Sequence, residues 1–373
     1  MRVDVVGAGP AGCYVSYLMA KKGHKVNLYD KKPRIGYPVQ CTGILSEYFL
    51  NIMPPKKDFV LNTVDKARIY SPNGKFVLAK IKKNYVVCRK KFDAYLGNMA
   101  KDAGVNITLG HSFHGFTKGS EITSSFSENN KEMKSKADVL IGADGPLSPV
   151  AKAARIYGNR EFLMGVQIEA YLKNDNVVEF YPYIGSYAWI VPVNKNTVRI
   201  GVACYKDAVK LFKDFAKKRL GKDYDKKTIE NQSGIIPLFN PKLKIQSDYI
   251  YILGDSGTFL KATTGGGINQ GLKAAEILVS DLKNYEKNIR RKLYPNLYVH
   301  LIAHEMMKRF TSDDWNRLIE DFSHPKLKSI LYSESRDNII RMMMMIMVAK
   351  PSLIRYAKHF PGKMFFSTFW NLI

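Results

Sequence analysis

Residues 3–30, VDVVGAGPAGCYVSYLMAKKGHKVNLYD, leave very few folds open to this chain. A β-type run (Val3, Val5, Val6) meets Gly7-x-Gly9-x-x-Gly12, an apolar helical stretch follows, and a second strand over 26–29 ends on Asp30. Strand, glycine turn, helix and strand in that order are the opening unit of a Rossmann-type sheet that binds a dinucleotide. Gly7 makes the tight turn, Gly9 lets the backbone approach the pyrophosphate, and Gly12 lets helix and strand pack closely. The phosphates would sit on the helix N-terminus, where free N–H groups and the dipole favour negative charge. Asp30, eighteen residues past Gly12, is placed to accept a ribose hydroxyl. Gly7, Gly9, Ala11, Gly12 and Asp30 are the first candidate cofactor contacts.

Two distant segments say which dinucleotide. ADVLIGADGPLSPV (137–150) is a buried-type strand running into Asp144-Gly145, and YIYILGDSGTFLKATTGGGINQG (249–271) is another running into Gly254-Asp255. Here the chain resembles the FAD-dependent oxidoreductases of the aromatic-hydroxylase fold. The resemblance implies FAD, with Asp255 on the ribityl chain and Gly265, Gly266 and Gly267 near the flavin pyrimidine edge. Asp144 and Gly254, at the strand ends, join the cofactor candidates. VVCRKKFDAYL (86–96) resembles the family's xRxxFDxxL segment, which would put Arg89 near the cofactor. The physics agrees: glycines permit close approach. A helix starting near Ile268 would aim its positive end at the N1/C2 region and favour a reduced, anionic flavin.

At 373 residues the chain can hold two domains and a sizeable core. The FAD signatures are split, so a nucleotide domain is expected from residues 1–50, 85–155 and 247–300. The interruptions, 51–84 and 156–246, should build an antiparallel-sheet catalytic domain over the flavin. Residues 64–82 alternate like a hairpin around Pro72-Asn73-Gly74, and 162–204 hold several dense strand runs. Residues 206–220 read as an amphipathic helix and 301–373 as a helical C-terminal region. The fold class is α/β, mixed with α+β character.

Four cysteines (Cys13, Cys41, Cys88, Cys204) show neither CxxC nor zinc spacing, so no metal is expected and a reducing cytoplasm fits. Cys13 reads as helix packing, Cys88 and Cys204 as strand core. His24, His111 and His114 form no ligand or triad spacing. The nucleotide motif begins at residue 3, so no signal peptide is expected ahead of it. The longest apolar run, 342–349, is too short to span a bilayer.

The net charge of +25 admits nucleic acid, an anionic membrane or an acidic partner. No aromatic-interleaved basic motif marks an RNA site, so nucleic acid is not expected. Beyond Asp337 there is no acid, while Arg341, Lys350, Arg355, Lys358 and Lys363 alternate with Met, Ile, Leu, Phe and Trp. Two readings of 338–373 stand: helices lying peripherally on the inner face of the cell membrane, or helices packing an apolar face on the body.

Two further motifs narrow the chemistry. GYPVQCTG (36–43) places Cys41 on a loop shortly after Asp30, and YAWIVP (187–192) sits on a strand. Both resemble the geranylgeranyl reductase family, FAD enzymes that saturate isoprenoid chains, including those of archaeal digeranylgeranylglycerophospholipids. Its Pro-to-Cys-x-Gly loop is matched by Pro38, Cys41 and Gly43. Its YxWxFP strand is matched by Tyr187, Trp189 and Pro192, with Val191 in place of Phe. A prenyl chain needs a tunnel of aliphatic and aromatic side chains, and Tyr187, Trp189 and Val191 share one strand face. They are substrate-binding candidates; ordinary core packing is the competing reading.

An isolated trisubstituted alkene is not electrophilic, so hydride delivery from reduced flavin must be coupled to protonation of the other carbon. Cys41, Tyr187 or a held water are the candidate donors, and the face of Trp189 or Tyr187 can stabilise developing positive charge. One G-x-G-x-x-G leaves the external electron donor open between ferredoxin and NAD(P)H. The rival readings are a monooxygenase or halogenase on the same fold, and a basic flavoprotein that binds RNA or membrane.

Overall fold

The computed structural model describes residues 1–129, 131–335, 337–360 and 362. A six-stranded sheet runs in the order Gln246–Ser247, Ile250–Ile252, Val139–Gly142, Arg2–Val6, Lys25–Asp30, Asn106–Leu109. Its pairs are parallel except the edge pair of Gln246–Ser247 with Ile250–Ile252. Val3, Val5, Leu28, Leu140 and Ile141 are fully buried, as a sheet covered on both faces requires. Helices Pro10–Lys21 and Ile268–Ser280 pack on it along a seam of small residues. A Cβ at Gly254 or Gly271 would lie 3.2 Å from the Cβ of Ala11.

The second sheet has eight strands, ordered Thr228–Pro237, Phe162–Tyr171, Thr197–Cys204, Tyr187–Asn194, Val178–Tyr181, Val60–Tyr70, Phe76–Val87, Ile44–Ser46. The hairpin expected around 72–74 joins Val60–Tyr70 to Phe76–Val87. The sheet is not antiparallel throughout: Val178–Tyr181 runs parallel to Val60–Tyr70. Between those strands the chain contributes Asn106–Leu109 and Val139–Gly142 to the six-stranded sheet before returning to the larger one. The strand Ile44–Ser46, inside the 1–50 stretch, pairs with Phe76–Val87 in this second sheet.

A small three-stranded sheet (Ser112–Lys118, Ile122–Glu128, Lys131–Ala137) flanks the first layer. Helix Ala208–Leu220 covers the outer face of the large sheet, packing Phe212, Phe215 and Leu220 on Ile168, Ile190 and Ile200. From Tyr294 onward the described residues are mainly helical, with their own apolar cluster around Leu327, Met342, Ile346 and Leu353. Cys88 departs from expectation. It occupies the N-cap of helix Arg89–Asp102 and is half-buried, because Val87 ends the strand run.

Candidate active site

A cavity of about 720 Å³ opens between the two large sheets. Its nucleotide end is shaped by the first glycine turn. Gly7 sits at φ +105°, and a Cβ there would lie 2.2 Å from the Ala143 carbonyl oxygen. A Cβ on Gly12 would lie 1.8 Å from the Gly7 oxygen, whereas Gly9 faces open space. Two glycines therefore close the packing and the middle one leaves room for a ligand. The Asp30 carboxylate accepts from Ala8 N–H at 2.6 Å and Lys32 N–H at 2.8 Å, and keeps lone pairs free for a hydroxyl.

Helices Pro10–Lys21 and Ile268–Ser280 both start at this cavity. Neither N-terminus has a side-chain cap or an acid in its first turn. Two sets of unpaired N–H groups, with their positive dipole ends, thus converge on the same space. Asp144 lines the cavity, but its carboxylate accepts from Ser148 Oγ at 2.6 Å and Val150 N–H at 2.9 Å. It shapes the start of the short helix Pro149–Ala153.

The second glycine run is closely enclosed. Gly265 has φ +66°, and a Cβ on it would lie 2.4 Å from the Tyr187 hydroxyl oxygen. A Cβ on Gly266 would lie 2.9 Å from Lys261 Cε, and one on Gly267 3.0 Å from Asp255 Oδ1. Each glycine leaves space for one polar side chain. Asp255 lies deep in the protein yet its carboxylate is exposed, because what it faces is the cavity. Burial pushes that carboxyl up, and the charge of Arg89 works against the rise.

Arg89 forms a bidentate pair with Asp93, 2.8 Å for each bond, and its guanidinium also reaches Cys41. Cys41 is half-buried on the cavity wall, and Gly43 N–H donates to its Sγ at 3.4 Å. Tyr187, Trp189 and Val191 all line the cavity. The Tyr187 ring stacks on Phe180 at 6.0 Å and tilts against Trp189 at 5.8 Å. Its hydroxyl is buried without a hydrogen-bond partner among the described residues, and burial pushes it up. Val191 packs with Val64, Val86, Ile44 and Val178 into an aliphatic patch.

Several residues at this site escaped the sequence reading. Gln167, Gln232 and Thr42 join Trp189 in one hydrogen-bonded group. Buried Arg199 donates to the Thr42 and Val87 carbonyls at 2.6 and 2.9 Å. Lys261 pairs with Asp337 at 2.8 Å, and Gln270 donates to the same carboxylate oxygen at 3.1 Å. Ser46 donates to the other oxygen. The available signal was a polar residue inside an otherwise apolar run, as in TVRIGVAC or FLKATT.

Residues 5–44 match the model of an NAD(P)-binding Rossmann-like domain, and residues 57–291 that of an FAD binding domain. The digeranylgeranylglycerophospholipid reductase of Methanocaldococcus jannaschii is 30% identical over 390 residues, covering 95% of this chain and 97% of that protein. The chain belongs to the digeranylgeranylglycerophospholipid reductase family. A second member, reductase 3 of Methanosphaera stadtmanae, is 30% identical over 299 residues, covering 74% of this chain and 75% of that protein.

A geranylgeranyl bacteriochlorophyll reductase-like protein from Thermoplasma acidophilum superposes with TM-score 0.83 at 22% identity, covering 96% of this chain and 98% of that one. The flavin-dependent halogenase CmlS reaches TM-score 0.67 at 12% identity, covering 95% and 78%, and is a relative in fold. FAD is the family's cofactor. Open space at Gly9, two uncapped helix ends and an inward-facing Asp255 suit a phosphate-rich ligand with a polyol chain.

Proposed function

We propose that this chain saturates the C=C bonds of geranylgeranyl chains carried by archaeal ether-lipid precursors. The observation that carries this reading is one cavity with two unlike walls. On one side are the glycine turns, Asp255 and Arg89; on the other are Ile44, Val178, Phe180, Trp189 and Val191. Gly7, Gly9, Ala11, Gly12, Asp30, Arg89, Gly254, Asp255 and Gly265 to Ile268 would hold FAD. Bound FAD, once reduced, supplies the hydride. The aromatic and aliphatic wall holds the alkene, excludes water and offers the Trp189 face to developing positive charge. Incubation with a digeranylgeranyl glycerophospholipid and a chemical reductant should add two hydrogens per double bond by mass spectrometry; a lipid of unchanged mass would sink this reading.

The proton comes from Cys41, whose thiol is open to the cavity, whereas Gly265 seals the Tyr187 hydroxyl. In single turnover, Cys41→Ala should slow reduction about 100-fold or more, and Tyr187→Phe by less than about tenfold. Equal rates in wild type and Cys41→Ala would remove the thiol from this role. The external electron donor is a ferredoxin or a nicotinamide, and the rate of flavin bleaching with each distinguishes them.

Lipid reaches the site from a membrane surface on which the C-terminal region rests. Among the described residues no helix is long and apolar enough to cross a bilayer. In the helix Ile339–Ala349, Met344 and Val348 are 58% and 82% exposed, and Ile354 beyond it is 64% exposed. The neighbouring cations are partnered: Arg341 by Glu334, Lys350 and Arg355 by Asp321, and Lys358 by Asp314. Lys363 falls outside the described residues. Attachment therefore rests on apolar insertion more than on charge. Met344→Asp with Val348→Asp should weaken co-sedimentation with phosphatidylcholine vesicles about tenfold; unchanged sedimentation would exclude this face.

A further inference from the structure

We infer that Gln167 is a positioning residue, a joint that holds Trp189 and the Cys41 loop in one fixed relation across the roof of the cavity. The inference rests on the reductase reading of this site. Gln167 lies in strand Phe162–Tyr171 and is 4% exposed. In register it stands opposite Gln232 on one side and Gly201 on the other, and Gly201 stands opposite Trp189. Gly201 has no side chain to intervene. A Cβ there would lie 2.5 Å from both Gln167 Cβ and Trp189 Cζ2, so the two side chains meet above the glycine.

The amide of Gln167 makes three hydrogen bonds. Its Oε1 accepts from Trp189 Nε1 at 3.0 Å and from Thr42 Oγ1 at 2.8 Å, while its Nε2 donates to Gln232 Oε1. Indole N–H is a donor only, so the atom facing Trp189 must be the amide oxygen. Thr42 directly follows Cys41, and its carbonyl is held by Arg199 at 2.6 Å. The loop is thus fixed through a side chain and through its backbone. One buried amide links the ring that walls the alkene to the loop that carries the thiol. A displacement of about 1 Å in either can cost on the order of 100-fold in rate.

The experiment uses the full-length, FAD-loaded protein and follows alkylation of Cys41 by iodoacetamide, read by peptide mass mapping so that the other three cysteines do not interfere. Trp189 emission is recorded in a background where Trp315 and Trp370 are phenylalanine. In Gln167→Leu, alkylation of Cys41 should rise about tenfold, Trp189 emission should shift, and kcat for lipid reduction should fall roughly 10- to 100-fold with KM little changed. Thr42→Val should raise alkylation similarly, and Thr42→Ser, which keeps the hydroxyl, should restore the wild-type rate. Wild-type alkylation in folded Thr42→Val and Gln167→Leu would overturn the inference. If Gln167→Leu does not fold, the Thr42 pair decides alone. Alkylation needs no lipid, so a wild-type protein that reduces no geranylgeranyl chain would sink the functional reading and leave this result to stand or fall separately.

Discussion

Gly265→Ala is expected to lower FAD affinity by about two orders of magnitude, measured by flavin fluorescence during reconstitution of the apoprotein. Two separate effects add. A non-glycine residue at φ +66° carries a left-handed penalty of roughly 1–2 kcal/mol. The new Cβ would also lie 2.4 Å from the Tyr187 hydroxyl oxygen, an overlap of the kind that costs about 1–3 kcal/mol. Tyr187 cannot retreat easily, since its ring is packed on Phe180 and Trp189. The loop must instead move into the cavity, the volume a flavin held by Gly265 to Ile268 would occupy, so the loss would fall on the bound form. Tyr187→Phe supplies the internal control. It removes the clashing oxygen and leaves Cζ at 3.5 Å, ordinary contact. Gly265→Ala with Tyr187→Phe should therefore recover all but about tenfold of the loss. Equal FAD affinity in both backgrounds would contradict the packing described here.

Asp337→Ala should destabilise the fold by about 3–5 kcal/mol in urea unfolding, because it leaves the Lys261 ammonium buried without its partner. Lys261 and Asp337 are 8% and 9% exposed, and Ser46 and Gln270 complete the carboxylate's hydrogen bonds. Asp337→Ala with Lys261→Met should restore most of the stability, since a buried pair exchanged for apolar side chains is often nearly neutral. The pH dependence has a definite sign. Burial pushes the Asp337 carboxyl up, but Lys261, Ser46 and Lys273 outweigh it and hold it below the usual carboxylate range. A depressed native value means stability that is fully present above about pH 4 and is lost as pH falls towards that lower value. The deficit of Asp337→Ala should accordingly shrink in acid. A deficit that stays constant down to about pH 2 would show that charge is not its cause.

Much of the cofactor half was legible in residues 3–30 and 249–271 because turn chemistry is local. A tight turn, a helix start and a strand end each leave a mark within a few residues. The roof was legible only in part. YAWIVP announced an aromatic strand face, but Gln167 is an ordinary alternating residue whose partners lie 22, 65 and 125 positions away. Such pairing depends on register between strands, and one-dimensional spacing carries no record of it. The C-terminal cations show the same limit. Read along the chain they form a basic, lipid-facing pattern; in space Asp314, Asp321 and Glu334 neutralise most of it. Asp337 was visible as the last acid of the chain, and its burial beside the glycine run was not.

The sequence alone determined a glycine-turned dinucleotide site and its assembly from scattered segments, and it carried a cysteine loop and an aromatic strand whose link to prenyl chemistry came from their resemblance to a reductase family. Only the tertiary structure decided how these parts face one another. It set Tyr187 on Gly265, Lys261 on Gly266 and Asp255 on Gly267, and it joined Trp189 to Thr42 through Gln167. The reason is physical. Turns and helix ends are fixed by backbone geometry within a few residues, whereas a buried polar group takes its partner from whatever strand or helix the packing brings within about 3 Å.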